Sequence, residues 1–255
     1  AEDGPCENLE LGDDEIITET EYIYDVDHWI VDHKKLESVR NLANEMKAQT
    51  RFFYDDLPYG NLSRGNLTQE SEWLDQGDRF LPSIRNTFDQ FGNIETLTDA
   101  NSHRRSIDYD PVLHTYPIRE TIHLAERDLS MTATYDLGLG VVRSVKDFAG
   151  AVTNYEYDAL ARLKRILRPG GAEQAFTYQL ADPVSHILTQ VKEDADGSTF
   201  DTFAYFDGLG RKLGTKIEAE ENGGSPRWRF VDAVGFKARR LAARPWLPYY
   251  SATGG

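Results

Sequence analysis

Residues 157–171 read Tyr-Asp-Ala-Leu-Ala-Arg-Leu-Lys-Arg-Ile-Leu-Arg-Pro-Gly-Gly, and this stretch decides the fold. An aspartate such as Asp158 accepts backbone N–H groups two residues further on and thereby opens a type I turn. The following run, Leu163–Leu167, is short and ends at Pro169 and two glycines, which mark a second turn. The stretch therefore predicts a turn, a strand and another turn, the basic unit of an antiparallel hairpin.

An aromatic residue followed by aspartate recurs along the chain. The pairs are Tyr24-Asp25, Tyr54-Asp55, Phe88-Asp89, Tyr109-Asp110, Tyr135-Asp136, Tyr157-Asp158 and Phe206-Asp207. Turns of the form Asp-x-x-Gly are expected at Asp89–Gly92, Asp147–Gly150, Asp207–Gly210 and Asp232–Gly235. In such a turn the glycine supplies the positive φ that closes a hairpin loop of three to five residues. About seven residues remain between turns, enough for one strand of roughly 23 Å.

In the segments between these turns, successive side chains alternate between two faces, as they do in β-strands. Thr153, Tyr155 and Tyr157 are expected on one face, opposite to Val152, Asn154 and Glu156. Leu129, Met131, Ala133 and Tyr135 alternate with polar residues in the same way. The sequence therefore predicts an all-β fold of tandem antiparallel hairpins.

Residues 31–50 leave two alternatives open. Leu36, Val39, Leu42, Ala43 and Met46 have a spacing compatible with a helix, and local propensity favours one. The alternative is a hairpin that turns at residues 41–44, flanked by strands over 33–40 and 45–55. We favour the hairpin.

Composition and charge narrow the function classes. The chain has 255 residues, 40% of them hydrophobic and 28% charged, with a single cysteine, Cys6. One cysteine excludes an internal disulfide framework and a multi-thiolate metal site. The net charge of −15 argues against a nucleic-acid or anionic-membrane binder. Residues 1–60 contribute −11 and residues 161–255 contribute +3, so acidity is concentrated towards the start.

The stretch 157–171 resembles the YD repeat of the Rhs family, whose unit reads roughly Tyr-Asp-x-x-Gly-Arg-Leu followed by a strand. Residues 206–213 are a second match, and residues 88–94 are an asparagine variant. Residues 65–73, 99–101 and 109–117 resemble the Rhs-type toxin-complex B component more than a generic YD protein. The likeness covers about residues 20–250 and places residues 50–55 at a strand end, which favours the hairpin over 31–50.

Some repeats depart from the family pattern. Ala161 stands where the turn glycine is expected, so it must adopt a positive φ or belong to another turn type. The pair Val231-Asp232 lacks the aromatic residue, and residues 101–103 contain no glycine.

The resemblance implies a β-sheet that spirals into a hollow shell, which encloses a C-terminal toxic polypeptide. The expected function is therefore structural and non-catalytic: a wall segment (residues 21–255) preceded by an acidic segment (residues 1–20). We expect the chain to be part of a longer bacterial protein that is secreted or displayed on the cell surface. Its expected partners are the rest of the shell, the enclosed cargo and a delivery or translocation subunit, with neither nucleic acid nor a membrane span.

The residues expected to matter are those of the repeat, and we expect no catalytic, cofactor-binding or metal-binding residues. The repeat residues are Tyr54, Asp55, Phe88, Asp89, Gly92, Tyr109, Asp110, Tyr135, Asp136, Asp147, Gly150, Tyr157, Asp158, Arg162, Phe206, Asp207, Gly210 and Arg211. Each ring is expected to pack on a neighbouring hairpin, and each aspartate to cap a turn.

Other candidate sites lack part of the pattern that their chemistry needs. Asp110-Pro and Asp182-Pro lack the glycine of the Asp-Pro-x-Gly motifs of the autoprotease found in many relatives. The run Asp194–Ser198 lacks the twelfth-position acid of a calcium loop. The acids at 13–15 are expected to form a solvated segment, and no histidine has metal-ligand spacing. Cys6 has no basic neighbour that would activate it.

Three rival functions stay open. The first is a cell-surface adhesion or carbohydrate-binding module, which would need exposed aromatic rings on one face. The second is a surface solenoid without cargo, which would continue with more repeats and an anchor. The third is a hydrolase in an all-β fold, which would need a carboxylate pair in a cleft and has the least support.

Overall fold

The computed structural model of the chain describes residues 15–180, 184–192, 197–222, 225–237 and 242–251. These residues form β-strands joined by short turns, with one 3₁₀ turn at Pro169–Gly171. The all-β prediction is therefore confirmed. The chain divides into two compact units, residues 1–131 and residues 132–255.

Unit one contains eight strands, each paired antiparallel with the next along the chain. They are β1 (Ile16–Asp25), β2 (Ile30–Asn41), β3 (Met46–Tyr54), β4 (Leu67–Leu74), β5 (Arg79–Phe88), β6 (Ile94–Asp99), β7 (Arg104–Tyr109) and β8 (Pro117–His123). Strand β1 begins inside the acidic segment 1–20. The boundary at residue 20 stays a prediction.

Strand β9 (Asp128–Asp136) contains the division between the units, and unit two continues the same pattern from it. The next strands are β10 (Val141–Lys146), β11 (Val152–Tyr157), β12 (Leu163–Leu167), β13 (Glu173–Gln179), β14 (Ser185–Lys192), β15 (Thr199–Phe206), β16 (Lys212–Asn222) and β17 (Ser225–Val231). Each pairs antiparallel with its predecessor. Three short strands follow: β18 (Val234–Phe236), β19 (Ala242–Pro245) and β20 (Tyr249–Ser251). Strand β18 pairs with β19, and β20 pairs with β17.

The segment 31–50 is a hairpin, as favoured from the sequence. Strands β2 and β3 pair from Leu36 opposite Arg51 to Arg40 opposite Met46. The side-chain oxygen of Asn41 accepts the N–H of Glu45 at 2.8 Å, so this asparagine closes the turn as an aspartate would. Turn chemistry and strand pairing therefore outweigh the helical propensity of this segment.

The strands alternate as expected, but few apolar side chains are buried. In β11 the side chains at 153, 155 and 157 are half-buried, and those at 152, 154 and 156 are exposed. Among the described residues, the buried apolar side chains are Tyr54, Trp228 and Ala233, which are 6%, 9% and 8% exposed. Backbone ladders and cross-strand side-chain pairs must therefore supply much of the stability.

Within the described ranges, no helix has the length and apolar character that crossing a membrane requires.

Candidate functional site: the aromatic–Asp edge

The aromatic–Asp pairs lie at one edge of the strands in each unit. Consecutive antiparallel strands run in opposite directions, so alternate strands end at the same edge. In unit one the pairs 24–25, 54–55, 88–89 and 109–110 end β1, β3, β5 and β7. In unit two the pairs 135–136, 157–158 and 206–207 end β9, β11 and β15. We call this side of the sheet, at which these strands end, the aromatic–Asp edge. Asp147 and Gly150 follow β10 and lie at the opposite edge of unit two.

Five of the short turns share one five-residue geometry, whereas in the turn after Asp136 the N–H of Gly140 donates to the carbonyl of Asp136 and the Asp136 carboxylate accepts the N–H groups of Gly138 and Leu139. In the turn 207–211, the N–H of Asp207 donates to the carbonyl of Arg211 at 3.0 Å, and the N–H of Gly210 donates to the carbonyl of Asp207 at 2.9 Å. The Oδ1 atom of Asp207 accepts the N–H groups of Leu209 and Arg211 at 2.9 and 3.0 Å. Turns 89–93, 99–103, 147–151 and 158–162 repeat these bonds.

The fourth residue of this turn has a positive φ whatever its identity. Gly92, Gly150 and Gly210 have φ values of 88°, 85° and 76°. Ala161 adopts φ 59° and Ser102 adopts φ 68°. Ala161 therefore keeps the turn type and accepts the unfavourable backbone conformation, which is one of the two outcomes left open by the sequence.

In four of these five turns the side chain of the fifth residue binds the aspartate, and in the turn 147–151 the fifth residue is Ala151. Arg162 Nε donates to Asp158 Oδ2 at 2.7 Å, and Arg211 does the same to Asp207 at 2.7 Å. Asn93 and His103 bond Asp89 and Asp99 in the same position at 3.0 and 2.8 Å. The guanidinium groups of Arg162 and Arg211 also lie over the rings of Tyr178 and Phe236, at 4.6 and 4.3 Å from the ring centres. The arginine of the motif thus joins its own turn to a neighbouring aromatic ring.

Two aspartates of unit one each organise a longer loop. The carboxylate of Asp55 accepts the N–H groups of residues 63–66 at 2.7–3.0 Å. Asp110, which is 3% exposed, accepts those of Val112, Leu113, Thr115 and Tyr116 at 2.6–3.1 Å. Desolvation opposes ionisation of both groups, but the four N–H donors prevail and hold each pKa below its usual range.

The tyrosines before these aspartates bond to neighbouring strands. Tyr54 donates its hydroxyl to the carbonyl of Lys34 at 2.7 Å, and burial raises the pKa of Tyr54 to about 12. Tyr109 donates to the carbonyl of Ile94 at 3.2 Å. The strand register shifts beside both tyrosines, and also beside Phe88, Tyr157 and Phe206. Each aromatic residue thus marks the bulge next to its turn.

The loop after Asp110 also contacts the turn 89–93. The ring of Phe91 stacks on His114 with centres 3.9 Å apart, and Asn93 Nδ2 donates to the carbonyl of His114 at 2.7 Å. His114 therefore packs against the neighbouring turn through both its ring and its backbone carbonyl. Neighbouring turns along the aromatic–Asp edge of unit one are therefore connected directly.

Sequence reasoning missed Tyr178 and an aromatic row on one face of unit two. Tyr178 lacks a following aspartate, yet its hydroxyl donates to the carbonyl of Leu163 at 2.9 Å, as Tyr109 does to Ile94. The aromatic row consists of His186, Phe203, Tyr205, Trp228, Phe230 and Tyr249, with ring centres 5.4–6.3 Å apart. In the sequence, the aromatic row is indicated only by the alternation of side chains between the two faces of each strand, and this alternation does not show which rings contact one another.

Lys216 lies among these rings. It pairs across the strands with Phe203 and Phe230 and is 8% exposed, and desolvation lowers its pKa. Nearby Gly214 leaves room for the row, because a Cβ atom there would come within 2.4 Å of the Phe230 ring.

One predicted turn is wrong. Asp232–Gly235 does not form an Asp-x-x-Gly turn, because Gly235 lies inside β18 opposite Arg244. A Cβ atom at Gly235 would lie 2.9 Å from the Trp246 ring, so close packing rather than a positive φ explains this glycine.

Several candidate residues named from the sequence lie outside the described residues. They are Cys6, the acids at 13 and 14, the Asp182-Pro183 pair and the start of the 194–198 run. In the ranges that the structure does describe, no three His, Cys, Asp or Glu side chains are grouped to hold a metal ion.

No protein-family model and no curated protein matches the chain. Solved structures of a toxin complex are similar to it at low identity. The crystal structure of TcdB2-TccC3 without its hypervariable C-terminal region matches 89% of this chain and 15% of its own chain, with 12% identity and a TM-score of 0.48. A further TcdB2-TccC3 crystal structure matches 85% and 15%, with 9% identity and a TM-score of 0.30.

A Photorhabdus luminescens Tc holotoxin pore matches 81% of this chain and 14% of its own, with 13% identity and a TM-score of 0.29. The chain thus spans about one seventh of the length of these solved chains. The family resemblance continues to rest on the repeated sequence motif.

Proposed function

We propose that this chain is a non-catalytic segment of the wall of an Rhs-type β-shell, which encloses a C-terminal toxin polypeptide and helps to deliver it. The observation that carries the proposal is the repeated hairpin with its aromatic–Asp pair at one edge of each unit. A ladder built in this way grows by adding hairpins, and each hairpin is stabilised mainly by its neighbours. This is the property that an extended wall requires.

The use of the turn carboxylates supports a structural role. Asp55 and Asp110 each accept four backbone N–H bonds, and Asp158 and Asp207 are held by an arginine and two backbone N–H groups. Carboxylates that are ionised and occupied in this way are poorly suited to proton transfer near neutral pH. These carboxylates serve to close turns by accepting hydrogen bonds.

The proposed partners follow from the same role. They are the remainder of the shell, the enclosed polypeptide and a delivery subunit, and the parent protein is secreted or displayed by a bacterium. The rival carbohydrate-binding function requires exposed ring faces. In the aromatic row of unit two, Phe203, Tyr205, Phe230 and Tyr249 contact one another, whereas Tyr22, Tyr24 and Trp29 of unit one are exposed, so exposed rings are available for this rival function as well.

The test uses the full natural polypeptide that carries this chain. We expect electron microscopy to show a hollow particle, and an added protease to spare an internal polypeptide. The double variant Asp158→Ala, Asp207→Ala should make that polypeptide cleavable, while Asp75→Ala at an exposed turn should not. A solid particle, or equal cleavage in all three proteins, would contradict the proposal. Binding to a glycan array by the isolated chain would instead favour the adhesion module.

A further inference from the structure

One face of the sheet in unit one carries arginines from three alternate strands, β3, β5 and β7. The cross-strand row that defines this face consists of Phe53, Gln69, Arg85, Thr98 and Arg104. Arg51 shares the face, because it lies two residues before Phe53 on β3. We call the face that carries Arg51, Arg85 and Arg104 the arginine face. Its three strands are each paired on both sides within unit one, so the arginines do not lie at an unpaired edge.

Arg51 is half-buried and enclosed by aromatic rings. Its guanidinium lies over the rings of Phe80 and Tyr59, at 3.6 and 5.0 Å from the ring centres. The Nε atom of Arg51 is buried, and within the described part of the chain it has no hydrogen-bond acceptor and the guanidinium has no carboxylate at ion-pair distance. A cation that is desolvated without a counter-ion raises the free energy of the fold, so an anion bound here would be stabilising.

The other two arginines of this face are exposed, and they too have no acidic partner. The Nε atom of Arg85 donates to the neutral amide oxygen of Gln69 at 3.3 Å. For Arg85 and Arg104 alike, no carboxylate of the described residues lies within ion-pair distance. Three guanidinium groups on one face therefore lack a counter-ion from the strands around them.

The acids of these strands lie at the margins of the arginine face or on the opposite face. At the margins, Glu19 and Glu21 belong to β1, and Asp108 is near the end of β7. Glu21 lies 3.5 Å from Lys35, and Asp108 lies 3.9 Å from Arg119. The opposite face of β2–β6 carries the acids Glu37, Glu70, Glu72 and Asp99. The arginine face is thus locally positive on a chain whose net charge is −15.

We infer that the arginine face binds an extended acidic segment of polypeptide, with one carboxylate on Arg51 and others beside Arg85 and Arg104. A guanidinium matches a planar carboxylate with two parallel N–H donors. The rings around Arg51 require a carboxylate on a flexible stem, such as an aspartate or glutamate side chain. A carboxylate fixed directly to a sugar ring does not reach between them, which disfavours an acidic polysaccharide. This inference does not depend on the proposed wall function.

The experiment is a titration of labelled peptides with the full chain, followed by fluorescence anisotropy. One peptide alternates glutamate with threonine, and a second replaces each glutamate with glutamine. The salt concentration is about 0.15 M, because the net negative charge of the chain repels the glutamate peptide at distances beyond about 8 Å unless salt screens it. We expect saturable binding of the glutamate peptide, no binding of the glutamine peptide, and no displacement by an alginate oligosaccharide with the same number of carboxylates. Failure of the glutamate peptide to bind, equal binding of both peptides, or displacement by the oligosaccharide would overturn the inference.

The double variant Arg85→Gln, Arg104→Gln should weaken binding about 2- to 30-fold, the effect of losing two exposed charge pairs. The matched control is Arg127→Gln with Arg168→Gln, which makes the same change in net charge at exposed positions outside the arginine face. Arg168 donates to the amide oxygen of Gln174 at 3.3 Å, so it resembles Arg85 in its partner as well. The control should stay within about twofold of the wild-type affinity. Equal losses in the two double variants would show non-specific attraction and contradict the inference.

Arg51→Lys tests the proposed anchor. Lysine keeps the positive charge but lacks the parallel donors and the flat faces of the guanidinium, so binding should weaken about tenfold. Wild-type affinity in this variant would show that Arg51 holds no carboxylate and would contradict the inference. Circular dichroism verifies that each variant keeps its β structure. Because Arg85 and Arg104 are exposed, the double variant decides the question if Arg51→Lys does not fold.

Discussion

The fourth position of the five-residue turn shows what a single residue contributes. The backbone there has a positive φ, and the chain fills the position with glycine, alanine or serine. Hydrogen bonds from the aspartate and the two flanking strands hold this conformation, so the residue adopts it even at a cost. An alanine at positive φ costs roughly 1–2 kcal/mol relative to its usual conformations.

We predict that Ala161→Gly raises the free energy of unfolding by about 0.5–1 kcal/mol. Relief of the strained φ exceeds the entropy that glycine gains in the unfolded chain. The reverse change, Gly210→Ala, should lower the free energy of unfolding by a similar amount. A Cβ atom at position 210 would meet no atom within 4 Å, so only the positive φ opposes the alanine. Urea denaturation measures both. As control, Ala149→Gly has no positive φ to relieve and should not stabilise the protein.

A second prediction at the residue scale concerns Asp110 and pH. Its carboxylate has a pKa below that of an unfolded aspartate, so it stabilises the fold fully above about pH 4 and loses this effect as the pH falls towards the folded-state pKa. Asp110→Asn should therefore be less stable than the wild type at pH 7. Its urea midpoint should fall less steeply between about pH 5 and pH 2. Parallel pH profiles for the two proteins would refute this.

At the scale of the element, the repeated element is a hairpin, which consists of two strands, the turn between them and the aromatic ring that the turn contacts. The arginine at the fifth turn position links these parts, because Arg211 bonds Asp207 within the turn and lies over Phe236 of β18. Lysine has a single charged group and cannot reproduce both the fork and the flat stacking surface. Arginine at this position therefore makes two contacts. Asn93 and His103 bind the aspartate from the same position, and the aspartate alone can close the turn, as Asp147 does with Ala151 as the fifth residue.

We predict that Arg211→Lys makes the amides of the β15–β16 hairpin exchange about fivefold faster, because the stacking and fork contacts are lost. Hydrogen exchange read by mass spectrometry measures this locally. Amides of the β10–β11 hairpin serve as the internal control, since their turn has no arginine at the fifth position. An unchanged rate in β15 and β16 would mean that the arginine is dispensable for this element.

At the scale of the whole molecule, strands β1–β8 and strands β9–β17 pair with their sequence neighbours, β20 pairs with β17, and few apolar side chains of the described residues are buried. Stability in such an architecture is approximately a sum of hairpin terms and nearest-neighbour terms. A destabilising substitution should therefore unfold only its own strand and the strands paired with it. A protein with one thick core would instead lose all of its structure together.

We predict that Ile187→Pro, in the middle of β14, removes hydrogen-exchange protection from β13, β14 and β15 but not from β3, β4 and β5. Proline cannot donate to the ladder, and Ile187 lies between Tyr178 and Ala204 on the adjacent strands. Hydrogen exchange of the intact chain, read by mass spectrometry, measures the protection of both groups of strands. Simultaneous loss of protection in both groups of strands would show a cooperative fold and contradict the nearest-neighbour description.

The sequence by itself determined the all-β class and three of the four predicted Asp-x-x-Gly turns, those at 89–92, 147–150 and 207–210. These features are local: an aspartate side chain reaches N–H groups two to four residues away, and alternation is a property of each strand. The same locality allowed the hairpin over 31–50 to be favoured. Asn41 acts at its turn as aspartate does elsewhere, and no long-range contact is needed for that bond.

Only the tertiary structure decided which side chains meet across strands. Lys216 comes to lie between Phe203 and Phe230 because of the register of three strands, and Gly235 is required by Trp246 rather than by a turn. The contact of Arg162 with Tyr178 joins residues sixteen positions apart. A shift of one residue in register would move each strand's side chains to the opposite face, so these contacts depend on pairings that local patterns do not specify.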